Sequence, residues 1–154
     1  MFIVPAIRLA LPDDAAGIAR MSREFIEDGL DWSWRRERVL RAMADPAVNV
    51  VVAHDGRTLT GFGIMEYGDL HAHLALLAVA PPYRQRRVGS RLVAWLEQPA
   101  RIAGLEKVRL EARADNPGAL LFYRRLGFEA TGRAAGYYGG EIDAVRFEKS
   151  LRLG

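Results

Sequence analysis

The sequence predicts an α/β or α+β domain, a mixed sheet with helices packed on it. Three observations lead there. Strand-like and helix-like hydrophobic spacings follow one another in the order β-α-α-β-β-β-α-β-α-β-β. The strand His71–Val79 ends in LALLAVA, apolar on both faces as a central strand should be. The 154 residues, half of them hydrophobic and 27% charged, suit one domain with its own core and leave little room for a second.

The elements follow in order. Ile3–Leu9 reads as a first strand interrupted by Pro5. Pro12-Asp13-Asp14 opens a helix, since proline suits a first turn and acids there complement the dipole. Ile18, Ser22, Phe25 and Ile26 form its buried stripe, and Gly29 ends it. Ser33 is placed to cap a second helix with Glu37 near the capping-box position, and Asp45-Pro46 stops that helix. Val48–Ala53 and Leu59–Tyr67 are strands around an Asp55-Gly56 turn, with Gly61 and Gly63 leaving room for close backbone approach. Pro81-Pro82 breaks the His71–Val79 strand. A helix from Val88 to Ala103 should be kinked or shortened by Pro99. Val108–Ala112 is a strand, Asn116-Pro117 starts a helix to Leu126, and Gly127 supplies a left-handed cap. Phe128–Tyr138 and Ile142–Leu151 complete an antiparallel pair.

Composition excludes several chemistries. No cysteine is present, so disulfides, thiol nucleophiles and Cys-ligated metals are out. Only three histidines occur, His54, His71 and His73, which argues against a His-rich metal site, and no metal is implied. No apolar run approaches the ~20 residues that span a bilayer. The first residues lack a basic n-region and a cleavage site. A cytoplasmic protein without membrane association is the expectation.

Charge is unevenly placed. The net charge is +3, but residues 1–70 sum to −3 and residues 71–154 to +6. Tyr83–Arg91, YRQRRVGSR, carries four arginines and no acid, and an anion is the natural partner of such a cluster. A solvated basic loop would read the same way. Nucleic acid is not the expected partner, because no aromatic-interleaved basic surface or DNA-binding motif accompanies the charge.

The segment Leu76–Leu92 is the most informative. A buried strand ends, an Arg- and Gly-containing loop follows, and a helix begins, whose free N–H groups converge on an anion. Gly89 permits close approach to the main chain. Neither a nucleotide P-loop nor a GxGxxG fingerprint is present. The loop Arg84-Gln85-Arg86-Arg87-Val88-Gly89 resembles the acetyl-CoA loop of the GCN5-related N-acetyltransferases, Gln/Arg-x-x-Gly-x-Gly/Ala. Its second glycine is matched by Gly89 and its first is replaced by Arg87. LEARADNPGALLFYRRLGF, residues 110–128, is similar to the same family's strand–Asn–helix–Tyr–Leu-Gly-Phe element. GYYGGEIDAVRFEKSL more distantly resembles the end of ribosomal-protein alanine N-acetyltransferases, with Ile142 intervening between Glu141 and Asp143.

The resemblance implies a mostly antiparallel sheet of about seven strands, helices on both faces, and a splay between strands 4 and 5. It implies acetyl transfer from acetyl-CoA to a primary amine by direct attack. The main chain of Leu77, Ala78 and Val79 and the loop Arg84, Gln85, Arg86, Arg87, Val88, Gly89 and Ser90 would bind the cofactor, with Asn116 on the pantetheine arm. Tyr123 would be the general acid as well as a cofactor contact, and Glu111 the general base. The acceptor would be a protein or peptide N-terminus. Alternatives are a small amine (polyamine, amino acid or aminoglycoside) or a non-catalytic CoA-binding module. The chain would be a monomer or homodimer.

The residues themselves bear on these roles. Asn116 and Tyr123 lie seven apart on one helix and share approximately one face. A phenol stays protonated at neutral pH and can donate. If Leu110 and Ala112 face the core, Glu111 points to the other side. His71 and His73 share a strand face and compete with Glu111 for the base, because a histidine suits that task without tuning. His73, Tyr137 and Tyr138 are candidates to line the acceptor site, and packing at strand ends is their alternative. Trp32 and Trp34 either wall that site or pack on the core.

Overall fold

The computed structural model describes residues 4–152. Seven strands form one sheet in the order β1-β2-β3-β4-β5-β7-β6. They are β1 (Ala6–Leu9), β2 (Val48–Asp55), β3 (Thr58–Tyr67), β4 (His71–Val79), β5 (Lys107–Arg113), β6 (Glu129–Tyr138) and β7 (Ile142–Ser150). Every neighbouring pair is antiparallel except β4 and β5. Helices α1 (Ala15–Phe25) and α2 (Arg36–Ala44) cover one face. Helices α3 (Val88–Ile102) and α4 (Pro117–Arg125) cover the other. The expected mixed sheet with helices on both faces is the observed architecture.

Two apolar cores result. Ile18, Val39, Val50, Val52, Phe62 and Ile64 pack under α1 and α2. Val51, Ala53, Leu92, Leu96, Val108, Leu110 and Phe147 pack under α3 and α4. The alternation of Val50–Ala53 between the cores is the period-2 pattern of a strand buried on both faces. Gly63 lets α3 come close, since a Cβ there would lie 2.8 Å from Leu96 Cδ1.

β4 departs from simple alternation. Ile64 pairs with Leu76 and Met65 with Leu74, so Ala75 is an extra residue, a bulge. Ala72 and Leu74 therefore face the α3/α4 core, whereas Leu76 and Ala78 face the α1/α2 core. The parallel pairing with β5 covers only His71–His73 against Lys107–Arg109. Beyond His73, β5 stays paired with β7 as far as Arg113, and β4 and β5 part. This is the expected splay between strands 4 and 5.

Three local expectations need correction. Pro5 precedes β1 rather than interrupting it, and Ile3 lies outside the described residues. Ser33 does not cap α2, whose N-cap is Arg35; the Ser33 N–H and hydroxyl both donate to Glu27 instead. Pro99 neither ends nor shortens α3, which runs on to Ile102. Interior proline costs ~3 kcal/mol, and tertiary contacts offset it. Tyr67 donates its hydroxyl to Leu96 O at 2.7 Å, Lys149 binds Glu97 at 3.1 Å, and Ala100 is fully buried.

Candidate active site

The splay opens a cleft of about 670 Å³ between β4, β5, the α1–α2 connection, α4 and the β6–β7 hairpin. His73, Leu77, Glu111, Asn116, Tyr123, Tyr137 and Tyr138 all line it. Seven residues from four elements, scattered over 66 positions of sequence, are thus brought together.

Glu111 lies between the core residues Leu110 and Ala112 and so points to the opposite face, where His73 also points. His73 Nε2 is 2.7 Å from Glu111 Oε1, and His73 Nδ1 is 3.4 Å from Glu66 Oε1. The two rivals for the base are one unit. The hydrogen bond to Glu111 holds the His73 imidazole above its ordinary value, against partial burial. The same bond holds Glu111 below the usual carboxylate range. Tyr137 donates to Glu111 Oε1 at 3.3 Å, so Oε1 is engaged twice. Glu111 Oε2 takes no hydrogen bond among the described residues. His71 is not part of this pair.

Tyr123 stands on α4 among Phe122, Phe128 and Phe147, with ring centroids 5.1, 5.7 and 6.0 Å away. The residue is 8% exposed. Burial pushes its phenol well above the ordinary value, so it remains a proton donor at any working pH. No hydrogen bond engages its hydroxyl among the described residues. Asn116 is the N-cap of α4, and its Oδ1 accepts from Ala119 N at 3.1 Å. That leaves its amide N–H groups for a ligand.

Tyr137 and Tyr138 stack edge to face with centroids 4.9 Å apart. A bulge in β6 presents them, and Gly136 N–H closes it by donating to Asp143 Oδ1 at 2.9 Å. Trp34 lines the cleft with the Arg38 guanidinium 3.9 Å over its ring. Trp32 does not line it: its indole donates to Ala19 O, between Arg23 and Arg35.

The other predicted residues lie along the open edge of β4 and the loop beyond. Gln85 and Arg87 both adopt φ of +62°, the left-handed region. Arg87 is the N-cap of α3 in that conformation, which is the physical reason a glycine suits the position. Val88, the first residue of α3, is buried. Ser90 donates to Arg87 O. Gly89 makes room for Phe122 of α4, because a Cβ there would lie 3.0 Å from the ring. Of the four arginines, Arg84 donates to Val79 O and Arg91 to Pro5 O, while Arg86 lies over the Tyr83 ring. Ala78 directs its side chain into the α1/α2 core and Val79 packs against the other. Their contribution to a ligand is therefore main-chain. An unpaired strand edge beside an arginine-rich helix N-terminus fits a long ligand with amides along its arm and a diphosphate at its end.

Two charged residues, one buried and one half-buried, were not anticipated. Glu27, 7% exposed, accepts from Ser22 Oγ, from Ser33 N and Oγ, and from Trp34 N. Arg113 donates from Nη1 to Ile26 O and Asp28 O at 2.9 and 2.7 Å. In sequence both look like surface charges; the sharp turn after α1 gives Glu27 its partners and gives Arg113 two carbonyls besides the nearby Asp115 carboxylate.

The splayed sheet thus opens a cleft lined by a carboxylate–imidazole pair and a buried phenol. The chain belongs to the acetyltransferase (GNAT) family, whose model matches residues 16–128. It is 36% identical over 112 residues to the N-alpha-acetyltransferase RimI of Mycobacterium tuberculosis, covering 70% of this chain and 69% of that protein. It is 35% identical over 107 residues to the N-alpha-acetyltransferase MAK3 of Arabidopsis thaliana. That match covers 67% of this chain and 56% of the plant protein. The crystal structure of Ard1 from Thermoplasma volcanium superposes with a TM-score of 0.86 at 23% identity, covering 98% of this chain and all of the other. No helix among the described residues is long and apolar enough to cross a membrane.

Proposed function

We propose that this chain transfers an acetyl group from acetyl-CoA to the free N-terminus of a protein or peptide, by direct attack in a ternary complex in the cytoplasm. The observation that carries the reading is the His73–Glu111 pair, set where β4 and β5 part and sharing a cleft with the Tyr123 hydroxyl. Two relatives named as N-alpha-acetyltransferases support the choice of acceptor.

Acetyl-CoA, when bound, supplies the activated thioester. Main-chain groups of Leu77, Ala78 and Val79, the loop Arg84–Ser90 and the Asn116 amide would hold it. The rest falls to the chain's own residues. With His73 neutral, the pair accepts one proton from the acceptor ammonium through Glu111 and holds it as the His73 imidazolium beside the Glu111 carboxylate, so the attacking amine is neutral. The buried Tyr123 hydroxyl donates the proton that the departing thiolate needs. The cleft walls hold the two reactants in line, which is the larger part of the rate gain for such a reaction. Tyr137 and Tyr138 flank the acceptor.

Thiol release from acetyl-CoA, with products identified by mass, tests the proposal. Peptides with a free Ala or Ser N-terminus should be acetylated. The same peptides N-blocked with an internal lysine, and small amines such as spermidine or an aminoglycoside, should not. Turnover confined to small amines would overturn the choice of acceptor, and CoA binding without turnover on any amine would overturn the catalysis.

A further inference from the structure

Arg113 ties β5 to the turn after α1, which forms one wall of the cleft. We infer that it is a positioning residue: by strapping the turn after α1 onto β5, it sets the affinity for the acceptor. The inference rests on the proposed function for its kinetic consequence, but not for its structural one.

The geometry is a two-sided clamp on three residues. From β5, Arg113 Nη1 donates to the carbonyls of Ile26 and Asp28 and reaches Asp28 Oδ1 at 3.3 Å. The rest of the guanidinium edge is anchored, with Nε and Nη2 each 3.0 Å from an oxygen of Asp115. The Arg113 side chain is only 12% exposed. Between the two carbonyls, Glu27 points away and gathers Ser22, Ser33 and Trp34. The strap thus grips the main chain of the turn, and the turn's own side chain grips the segment beyond. Ile26, Glu27, Ser33 and Trp34 all face the cleft.

The chemistry of the clamp requires arginine. Two carbonyls and a bidentate carboxylate are served at once by a planar fork of five N–H donors. A lysine ammonium at the same place reaches one side or the other. The carbonyls end a helix, where positive charge is also favoured by the dipole. Arg113 lies two residues beyond Glu111 on the same strand face, a rise of ~7 Å. The acceptor wall is therefore indexed to the residue that receives the acceptor's proton. Misplacement of a reactant by ~1 Å costs ~10²-fold in rate. Arg113 touches no reacting atom in this scheme.

Arg113→Ala and Arg113→Lys test the inference in three readouts. Hydrogen exchange should lose protection over residues 26–34 in both variants, while β5 and the rest of the sheet keep theirs. With a peptide acceptor, KM should rise ~10-fold or more. The kcat should fall less, the acid limb of the pH profile should not move, and the acetyl-CoA dissociation constant should stay within about twofold. Added guanidinium ion should restore part of the acceptor affinity to Arg113→Ala and none to a Tyr123→Phe control. Arg113→Lys keeps the charge and serves if the alanine variant does not fold. Unchanged exchange over residues 26–34 would overturn the strap. A loss confined to kcat, or an equal loss of acetyl-CoA affinity, would overturn its role in acceptor binding. If the wild-type protein acetylates no amine, the proposed function fails, and the exchange measurement still decides the strap.

Discussion

His73 Nε2 and Glu111 Oε1 stand 2.7 Å apart at the end of the parallel pairing of β4 and β5, whose last register pair is His73 with Arg109. The position matters as much as the distance. Two residues further along, β4 bulges at Ala75 and the strands diverge, so the pair marks the floor of the cleft. Each group stabilises the charged form of the other.

A stability window follows from the signs of those shifts. His73 has a raised pKa, so its contribution is complete below the unfolded value of ~6.5 and is lost as pH rises through the folded one. Glu111 has a lowered pKa, so its contribution is complete above ~4.3 and is lost as pH falls through the folded value. Both hold between about pH 4.5 and 6.5. Thermal melts from pH 4 to 9 should show the Tm gap between wild type and His73→Gln widest in that window and narrowing above it. A gap independent of pH would mean that the pair is not an ion pair.

Tyr123→Phe removes one hydroxyl and keeps the ring among Phe122, Phe128 and Phe147. Turnover should fall ~10²-fold or more, on the scale of general-acid catalysis. The acetyl-CoA dissociation constant, from titration calorimetry, should change less than twofold. Full turnover in the Phe variant would remove the acid role.

Some of this was legible in the sequence. The order of elements and the side to which Glu111 points come from local periodicity, whereas helices on both faces of the sheet follow from the family resemblance. The contact of Glu111 with His73 comes from neither. It depends on a parallel register between strands separated by α3, so two rivals in sequence proved to be partners. The switch of β4 between cores is invisible too, because Leu76 and Ala78 continue the even-numbered apolar positions while a bulge moves them to the other face. Ser33 has the right spacing for a cap, yet the buried Glu27 carboxylate holds it more strongly.

The α3–α4 contact gives a packing prediction. Gly89→Ala places a methyl 3.0 Å from the Phe122 ring. Overpacking of this kind costs ~1–3 kcal/mol, read from urea denaturation, and Phe122→Leu in the same chain should recover most of it. Additive losses would show that the two residues are not coupled.

Arg87 offers the reverse case. Its φ of +62° is strained for a side-chain-bearing residue, at ~1 kcal/mol or slightly more. Arg87→Gly should therefore raise the unfolding free energy by up to ~1 kcal/mol, measured by urea denaturation. A loss of stability would show that the Arg87 side chain contributes more than its backbone strain costs.

The central claim is that His73 and Glu111 act as one base. Its most direct test is the pH dependence of kcat/KM for a peptide acceptor, in wild type, Glu111→Gln and His73→Gln. The acceptor's own ammonium ionises near ~7.7–8 and contributes equally in all three, so only differences between variants count. In wild type the enzyme's acid limb should lie above ~6.5, because Glu111 raises the His73 value. Glu111→Gln should move that limb down towards ~6.5, and His73→Gln should move it below, both with reduced plateau rates. An acid limb that stays in place in both variants would contradict the account.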